Sequence, residues 1–254
     1  MNKMNNEKEF RDYAVKHLGY NGLVVDQVIK QQNSVSGLYT PHIVEEREMN
    51  MITMSVFDRL MKDRILWLSG VVNSQMSDII QAQLLFLESV DTSLEIKMYL
   101  NTPGGSVDAG LGIIDTMEFV EPPISTINLG MCASMGSVLL GAGEKGKRRG
   151  LINSKVMTHQ VSYGAQGNIQ DVRITQKEAE KANYLLFKRL GKYTNKSVHE
   201  ILEVSKRDNW LNSDEAVKFG IMDNVIGIGG DVKSITEQLE GFDTYYNNIL
   251  EAQK

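Results

Sequence analysis

The sequence predicts an α/β fold with a mainly parallel sheet, and three observations lead there. From about residue 50 onward, short apolar runs alternate with segments of helical periodicity. Glycine-bearing turns join them, the arrangement expected of βαβ units. The chain has 254 residues, 42% hydrophobic and 23% charged, which is enough to bury the core of one large domain and is neither disordered nor fibrous in character.

Taken in order, Ile65–Leu68 is an apolar run ending at Ser69-Gly70 and reads as a buried strand. Met76–Val90 places apolar residues at 79, 80, 84, 85 and 87, a helical spacing. Leu94–Leu100 alternates like a strand and runs into the tight turn Asn101-Thr102-Pro103-Gly104-Gly105. Val107–Val120 is again helical, and Ile124–Leu129 again a strand. A turn at Gly130, a helix from about Ser134 to Leu140 and a strand at Lys155–Thr158 follow.

After residue 160 the character changes. Gly164-Ala165-Gln166-Gly167-Asn168 reads as flexible or extended, and Asp171–Lys192 as a long, strongly polar helix. A helix with so few apolar positions projects from the body or packs on a partner. Asn195–Lys206 reads as a second polar helix. Residues 1–40 stand apart, with a short helix over Glu7–His17 and a linker at Gln31–Gly37. That piece reads as a leader, serving as a propeptide, a packing arm or a disordered extension, and residues 231–254 read as a C-terminal tail.

Composition sets bounds on function. A net charge of −5 favours solubility and gives no reason to expect nucleic acid or an anionic membrane as partner. The basic cluster Lys145-Gly146-Lys147-Arg148-Arg149 reads as a solvated turn. A single cysteine, Cys132, forms no intrachain disulfide and suits a reducing, cytoplasmic setting. The first residues are polar, without a secretory apolar stretch, and no run is long enough to span a bilayer. No metal-ligand spacing, phosphate-binding loop or dinucleotide fingerprint is present, so no cofactor is expected and the chain itself should not hydrolyse ATP.

Nucleophilic catalysis remains. Ser134 lies in Gly130-Met131-Cys132-Ala133-Ser134-Met135-Gly136, after a strand and at a helix start. A serine there has two readings. It is a helix N-cap, or it is a nucleophile whose developing oxyanion meets the free N–H groups of the helix N-terminus. Of the four histidines, His17 and His42 lie in or near the leader and His199 in a polar helix; His159 ends a strand, where α/β folds build their sites. Asp208 in Lys206-Arg207-Asp208-Asn209-Trp210 is one of several acids able to orient that histidine. Cys132 reads as a small buried side chain.

These blocks together resemble the proteolytic subunit of the ATP-dependent Clp protease, over about Tyr39 to Ile226. Asn101-Thr102-Pro103-Gly104-Gly105 is similar to the family's Asn-Ser-Pro-Gly-Gly turn. The Ser134 block is similar to its nucleophile block, and Thr158-His159-Gln160 falls where its histidine belongs. Arg207-Asp208-Asn209-Trp210-Leu211-Asn212-Ser213 is similar to its aspartate block, and the intervals between blocks match.

The resemblance implies an α/β, crotonase-like fold of repeated ββα units with a projecting handle helix, and a peptidase domain over residues 41–230. It implies Ser134 as nucleophile, His159 as general base and acid, and Asp208 as its orienting partner. The N–H groups of Gly105 and Met135 would form the oxyanion hole. Gly104, Gly164, Gln166 and Gly167 would bind an unfolded polypeptide substrate, Arg207 would take part in oligomer contact, and Tyr99, Ile127 and Leu129 would line a docking groove for an AAA+ ATPase unfoldase. The expected assembly is a homo-oligomer of two stacked heptameric rings.

Two departures stand out: Val161 replaces a usual proline, and Lys97 a position that is often aromatic. The leader is also longer than usual, and in this family such leaders are removable by self-cleavage. Three other readings stay open at this level: an enoyl-CoA hydratase on the related crotonase fold, a phage-type peptidase that processes capsid proteins without an ATPase, and a catalytically silent ring subunit.

Overall fold

The structure, a computed structural model, describes residues 42–47, 50–227 and 234–252, with Asp12, Val15 and Lys16. Those three are helical, and the rest of the expected Glu7–His17 helix and the Gln31–Gly37 linker lie outside the described residues. The chain divides between Lys62 and Asp63 into two compact units. In the first, strands β1 (His42–Arg47) and β2 (Asn50–Ser55) pair antiparallel. Helix α1 (Val56–Lys62) follows, started by a reciprocal cap in which Asp58 N–H donates to Ser55 Oγ at 3.0 Å and Ser55 N–H to Asp58 at 3.2 Å.

The second unit is a seven-stranded sheet with helices packed against it. Strands β3 (Ile65–Ser69), β4 (Ile96–Thr102) and β5 (Ile124–Ala133) are parallel neighbours, linked by α2 (Ser74–Val90) and α3 (Val107–Phe119). The apolar runs seen in the sequence explain them. Leu66, Leu68, Met98, Leu100, Ile113 and Ile114 are fully buried, and such burial of aliphatic side chains contributes about 1.5–3 kcal/mol each. Buried Arg64 closes the end of α2, donating to the carbonyls of Leu87, Asp91 and Leu94 at 2.9–3.0 Å and so satisfying acceptors that a helix C-terminus leaves open.

Strand β5 is longer than the sequence suggests, and it forks. Its first half (Thr126–Asn128) pairs with β6 (Arg148–Leu151), and its second half (Met131–Ala133) with β7 (Lys155–Thr158). Gly130 therefore does not turn the chain. It sits in an irregularity of the ladder, where its N–H donates to Asn128 Oδ1 at 3.1 Å and the next N–H to Asn101 Oδ1 at 3.2 Å. A glycine signal shared by turns and bulges was resolved by side-chain amides in favour of the bulge. Fully buried Asn128 also donates to Lys155 O at 2.9 Å, tying the two branches together.

Each branch carries one of the later strands. β7 pairs antiparallel with β8 (Asn209–Asn212), and β6 pairs with β9 (Asn224–Ile226), elements that the periodicity did not reveal. Helix α4 (Met135–Gly141) follows β5 and is buried throughout. The long polar helix, α5 (Ile169–Thr194), has 26 residues; Leu186, Phe187 and Leu190, toward its C-terminal end, are buried, whereas its first turns are largely exposed. It ends at Asn195 in the left-handed conformation, after which Ser197 caps the shorter α6 (Val198–Val204), where His199 is exposed. Helix α7 (Ser213–Phe219) and, within the expected tail, α8 (Ile235–Gln238) and α9 (Phe242–Ala252) complete the described chain.

The basic cluster is not simply a solvated turn. Lys145 and Gly146 do turn, but Arg148 belongs to β6 and is 3% exposed. It pairs with Asp223 at 2.6 Å and donates to Tyr193 O at 2.9 Å. The sequence signal counted its charge without its distant partner.

Candidate active site

Ser134 stands between the end of β5 and the start of α4, in a backbone conformation (φ 54°, ψ −122°) that non-glycine residues rarely adopt. Its side chain makes no cap hydrogen bond to the helix; the hydroxyl of Ser137 reaches back to the Ser134 carbonyl instead, at 2.7 Å. The N-cap reading is thereby set aside. The Ser134 hydroxyl lies 2.8 Å from His159 Nε2.

Strand β7 brings the histidine there. It pairs in register with the end of β5, and Ser134 N–H donates to Met157 O at 2.9 Å, so the serine turn and the last strand residues are locked together. On the far side, β8 pairs with β7, opposing Thr158 to Asn209. That register delivers Asp208, whose Oδ1 lies 3.2 Å from His159 Nδ1. With the ring proton on Nδ1, the imidazole donates to Asp208 and accepts from Ser134, the polarity a general base requires. Below this row, buried Thr158 Oγ1 receives hydrogen bonds from Ser205 at 3.1 Å and Asn209 at 3.2 Å. The imidazole is partly enclosed, 22% exposed, while the Asp208 carboxylate is 60% exposed.

The turn after β4 closes the third side. Val72 N–H donates to Gly104 O at 2.9 Å and Ser106 N–H to Val72 O at 2.8 Å. Gly104 has φ +92°, and a Cβ there would fall 2.6 Å from Ala133 O and 2.9 Å from Met135 N. Only glycine lets the turn lie this close to the serine and the helix start. Gly105, Ser134, Met135 and His159 share one cleft of about 160 Å³, whose apolar wall includes Val138, Leu186, Phe187 and Leu190. The three α5 residues were not singled out from the sequence, although their spacing on an otherwise polar helix is a core-face signal.

The other expected site residues lie elsewhere. Gly164, Gln166 and Gly167 are exposed, in a segment without regular structure, and residues 162–167 have no backbone hydrogen-bond partner among the described residues. Arg207 is exposed next to Asp208 in the chain. Tyr99 and Ile127 are register neighbours on β4 and β5, with Leu129 half-buried two residues on. Trp67, on β3, stacks on Tyr99 with ring centroids 5.9 Å apart and extends that row, an aromatic contribution the sequence reading missed. Exposed Lys97 lies two residues before Tyr99.

Cys132 is fully buried, and burial pushes its thiol up, so it stays protonated and unreactive. Among the described residues no group of three His, Cys, Asp or Glu side chains could hold a metal ion. Nor is any described helix long and apolar enough to cross a membrane.

Comparison with known proteins identifies the family. Residues 47–229 match the family model described as Clp protease. The chain is 46% identical to the ATP-dependent Clp protease proteolytic subunit of Bacteroides fragilis (strain YCH46) over 218 residues, covering 86% of this chain and 98% of that one. It is 42% identical to the protein of the same name from Porphyromonas gingivalis (strain ATCC BAA-308 / W83), covering 86% and 97%. The chain belongs to the Clp protease family and is a serine-type peptidase.

Proposed function

We propose that this chain is the proteolytic subunit of an ATP-dependent protease, cleaving unfolded polypeptides with Ser134, His159 and Asp208. The observation that carries the proposal is the continuous hydrogen-bonded row from Ser134 Oγ through His159 to Asp208, at 2.8 and 3.2 Å.

In this mechanism His159 Nε2 takes the Ser134 proton as Oγ attacks the peptide carbonyl. The proton then passes to the leaving amine, and Asp208 keeps the ring in the required tautomer. The carbonyl oxygen becomes negative at the start of α4, where the N–H groups of Gly105 and Met135 receive it. Water, deprotonated by His159, cleaves the acyl-enzyme and restores Ser134. The apolar wall of the cleft suits an aliphatic or aromatic substrate side chain. The backbone of 162–167, unpaired among the described residues, with Gly164, Gln166 and Gly167, suits an extended peptide bound by main-chain hydrogen bonds.

The same proposal covers assembly. Homo-oligomers of two stacked heptameric rings would use the exposed polar turns of α5 and Arg207 at the contact between rings. A cytoplasmic ATPase unfoldase would dock at half-buried Tyr99 and Leu129, with buried Ile127 beneath them. The names of the relatives, which include an ATP-dependent protease, support the partner. We also propose that residues 1–40 act as a leader to a peptidase domain spanning 41–230.

The test is reaction of the purified protein with a fluorophosphonate probe, the labelled residue being mapped by mass spectrometry. Label on Ser134 that disappears in His159→Ala is expected. Label elsewhere, or full peptidase activity in Ser134→Ala, overturns the assignment. Stimulation of protein degradation by an added unfoldase and ATP checks the partner; capsid-protein processing without it favours the phage-type reading.

A further inference from the structure

His159 is the first residue beyond β7, and the chain leaving it is held from both sides as far as Val161, although Gln160 is itself exposed. Toward α6, Gln160 N–H donates to Ser205 O and its Nε2 to Lys206 O, each at 3.0 Å. Those acceptors lie just ahead of Asp208. Toward α5, Val161 N–H donates to Asn183 Oδ1 at 2.9 Å. Beyond Val161 no residue through 167 has a backbone partner among the described residues. The Asn183 bond is therefore the last anchor of the histidine segment. Asn183 is half-buried and sits three and four residues before Leu186 and Phe187, on the helix face that walls the cleft.

We infer that Asn183 is a positioning residue: by accepting the Val161 N–H it fixes the path of the chain leaving His159, and with it the reach of the imidazole to Ser134. The inference rests on the triad reading above. A valine at 161, unlike a proline, carries an N–H that must find an acceptor as it leaves water. The chain supplies one from α5. Without it the amide turns toward solvent, and the two-residue link to the imidazole gains freedom. Misplacement of a catalytic group by about 1 Å costs on the order of 100-fold in rate, so a partial loss of this anchor should cost about 10- to 100-fold. The effect falls on kcat, because Asn183 holds the base and not the substrate.

The experiment measures kcat and KM on a fluorogenic peptide, and the rate of fluorophosphonate labelling of Ser134, in the full chain with its oligomeric state checked by light scattering. Asn183→Leu, which keeps the size and removes the acceptor, should lower kcat by about 10- to 100-fold, leave KM within about twofold, and slow labelling in parallel. Asn183→Asp, which still accepts, should recover most of the rate. In a Val161→Pro background, where no N–H remains, Asn183→Leu should have no further effect. Asn183→Ala under the same criteria replaces Asn183→Leu if the latter does not assemble.

Unchanged kcat in Asn183→Leu overturns the inference. So does Asn183→Asp as slow as Asn183→Leu, and so does an equal loss in the proline background, which would mean that Asn183 acts only through packing. Ser134→Ala, run alongside, separates the two readings. Activity retained there removes the triad itself, whereas its loss beside a normal Asn183→Leu removes only the role of Asn183.

Discussion

Asp223 accepts from the Arg148 guanidinium at 2.6 and 3.0 Å and from the backbone N–H groups of Gly146 and Arg148 at 2.7 and 2.9 Å. Asp208 accepts from His159 at 3.2 Å and is otherwise open to solvent, 60% exposed against 17% for Asp223. The two carboxylates serve the two branches of the same sheet. One is saturated with donors and pins β6 to the turn before β9; the other keeps capacity in reserve beside a cleft. A carboxylate closed on all sides contributes to stability and cannot easily change partners. A carboxylate with free lone pairs is poorly suited to stabilising the fold, but it can orient an imidazole whose charge changes during a reaction.

Substitutions can break this contrast. The largest effect should come at the proposed nucleophile and its base, where Ser134→Ala or His159→Ala lowers kcat by about four to six orders of magnitude, read by peptide hydrolysis. Asp208→Asn should follow with a loss of about four orders, while its denaturant midpoint shifts little. If Asp208→Asn unfolded the protein instead, the open carboxylate would be a structural one. Arg148→Met should do the reverse. It leaves Asp223 half-buried without its cation and lowers stability by about 3 kcal/mol, seen as a lower urea midpoint, with kcat of the folded fraction unchanged.

A sharper comparison uses pH. Burial alone would raise the Asp223 pKa, but the Arg148 guanidinium and the adjoining N–H groups outweigh it and hold the carboxyl below its usual range. A carboxylate depressed on folding gives stability that is complete above its unfolded pKa, about 4, and lost as pH falls through the lower folded value. Asp223→Asn should therefore lower stability at neutral pH and flatten the loss on acidification, in urea titrations at each pH. The smallest effect should be at His199, exposed on α6: His199→Ala should leave both activity and midpoint within error.

The strands β3, β4, β5 and β7 and the helices α2, α3 and α5 were legible in the sequence because each carries its own apolar period or its own turn residues. The blocks around Ser134, His159 and Asp208 were legible for a related reason: the residue types and their immediate neighbours are local. What was not legible depends on partners far along the chain. Arg148 reads as a surface charge until Asp223, in a loop before β9, is placed beside it. Gly130 reads as a turn until Asn101 and Asn128 supply acceptors that keep the strand going.

Strands β6, β8 and β9 hold too few apolar residues in a row, among Arg, Gly and Asn, to show a pattern, and exist by pairing alone. The sequence by itself determined the class of fold and the residues able to carry the chemistry, since hydrophobic patterning and side-chain type are written residue by residue. Only the tertiary structure decided that Ser134 turns its hydroxyl to His159 and not to its own helix, and that Asn183 meets Val161. It alone decided which of two aspartates is closed and which stays open, because hydrogen bonds over such separations depend on strand register and helix placement.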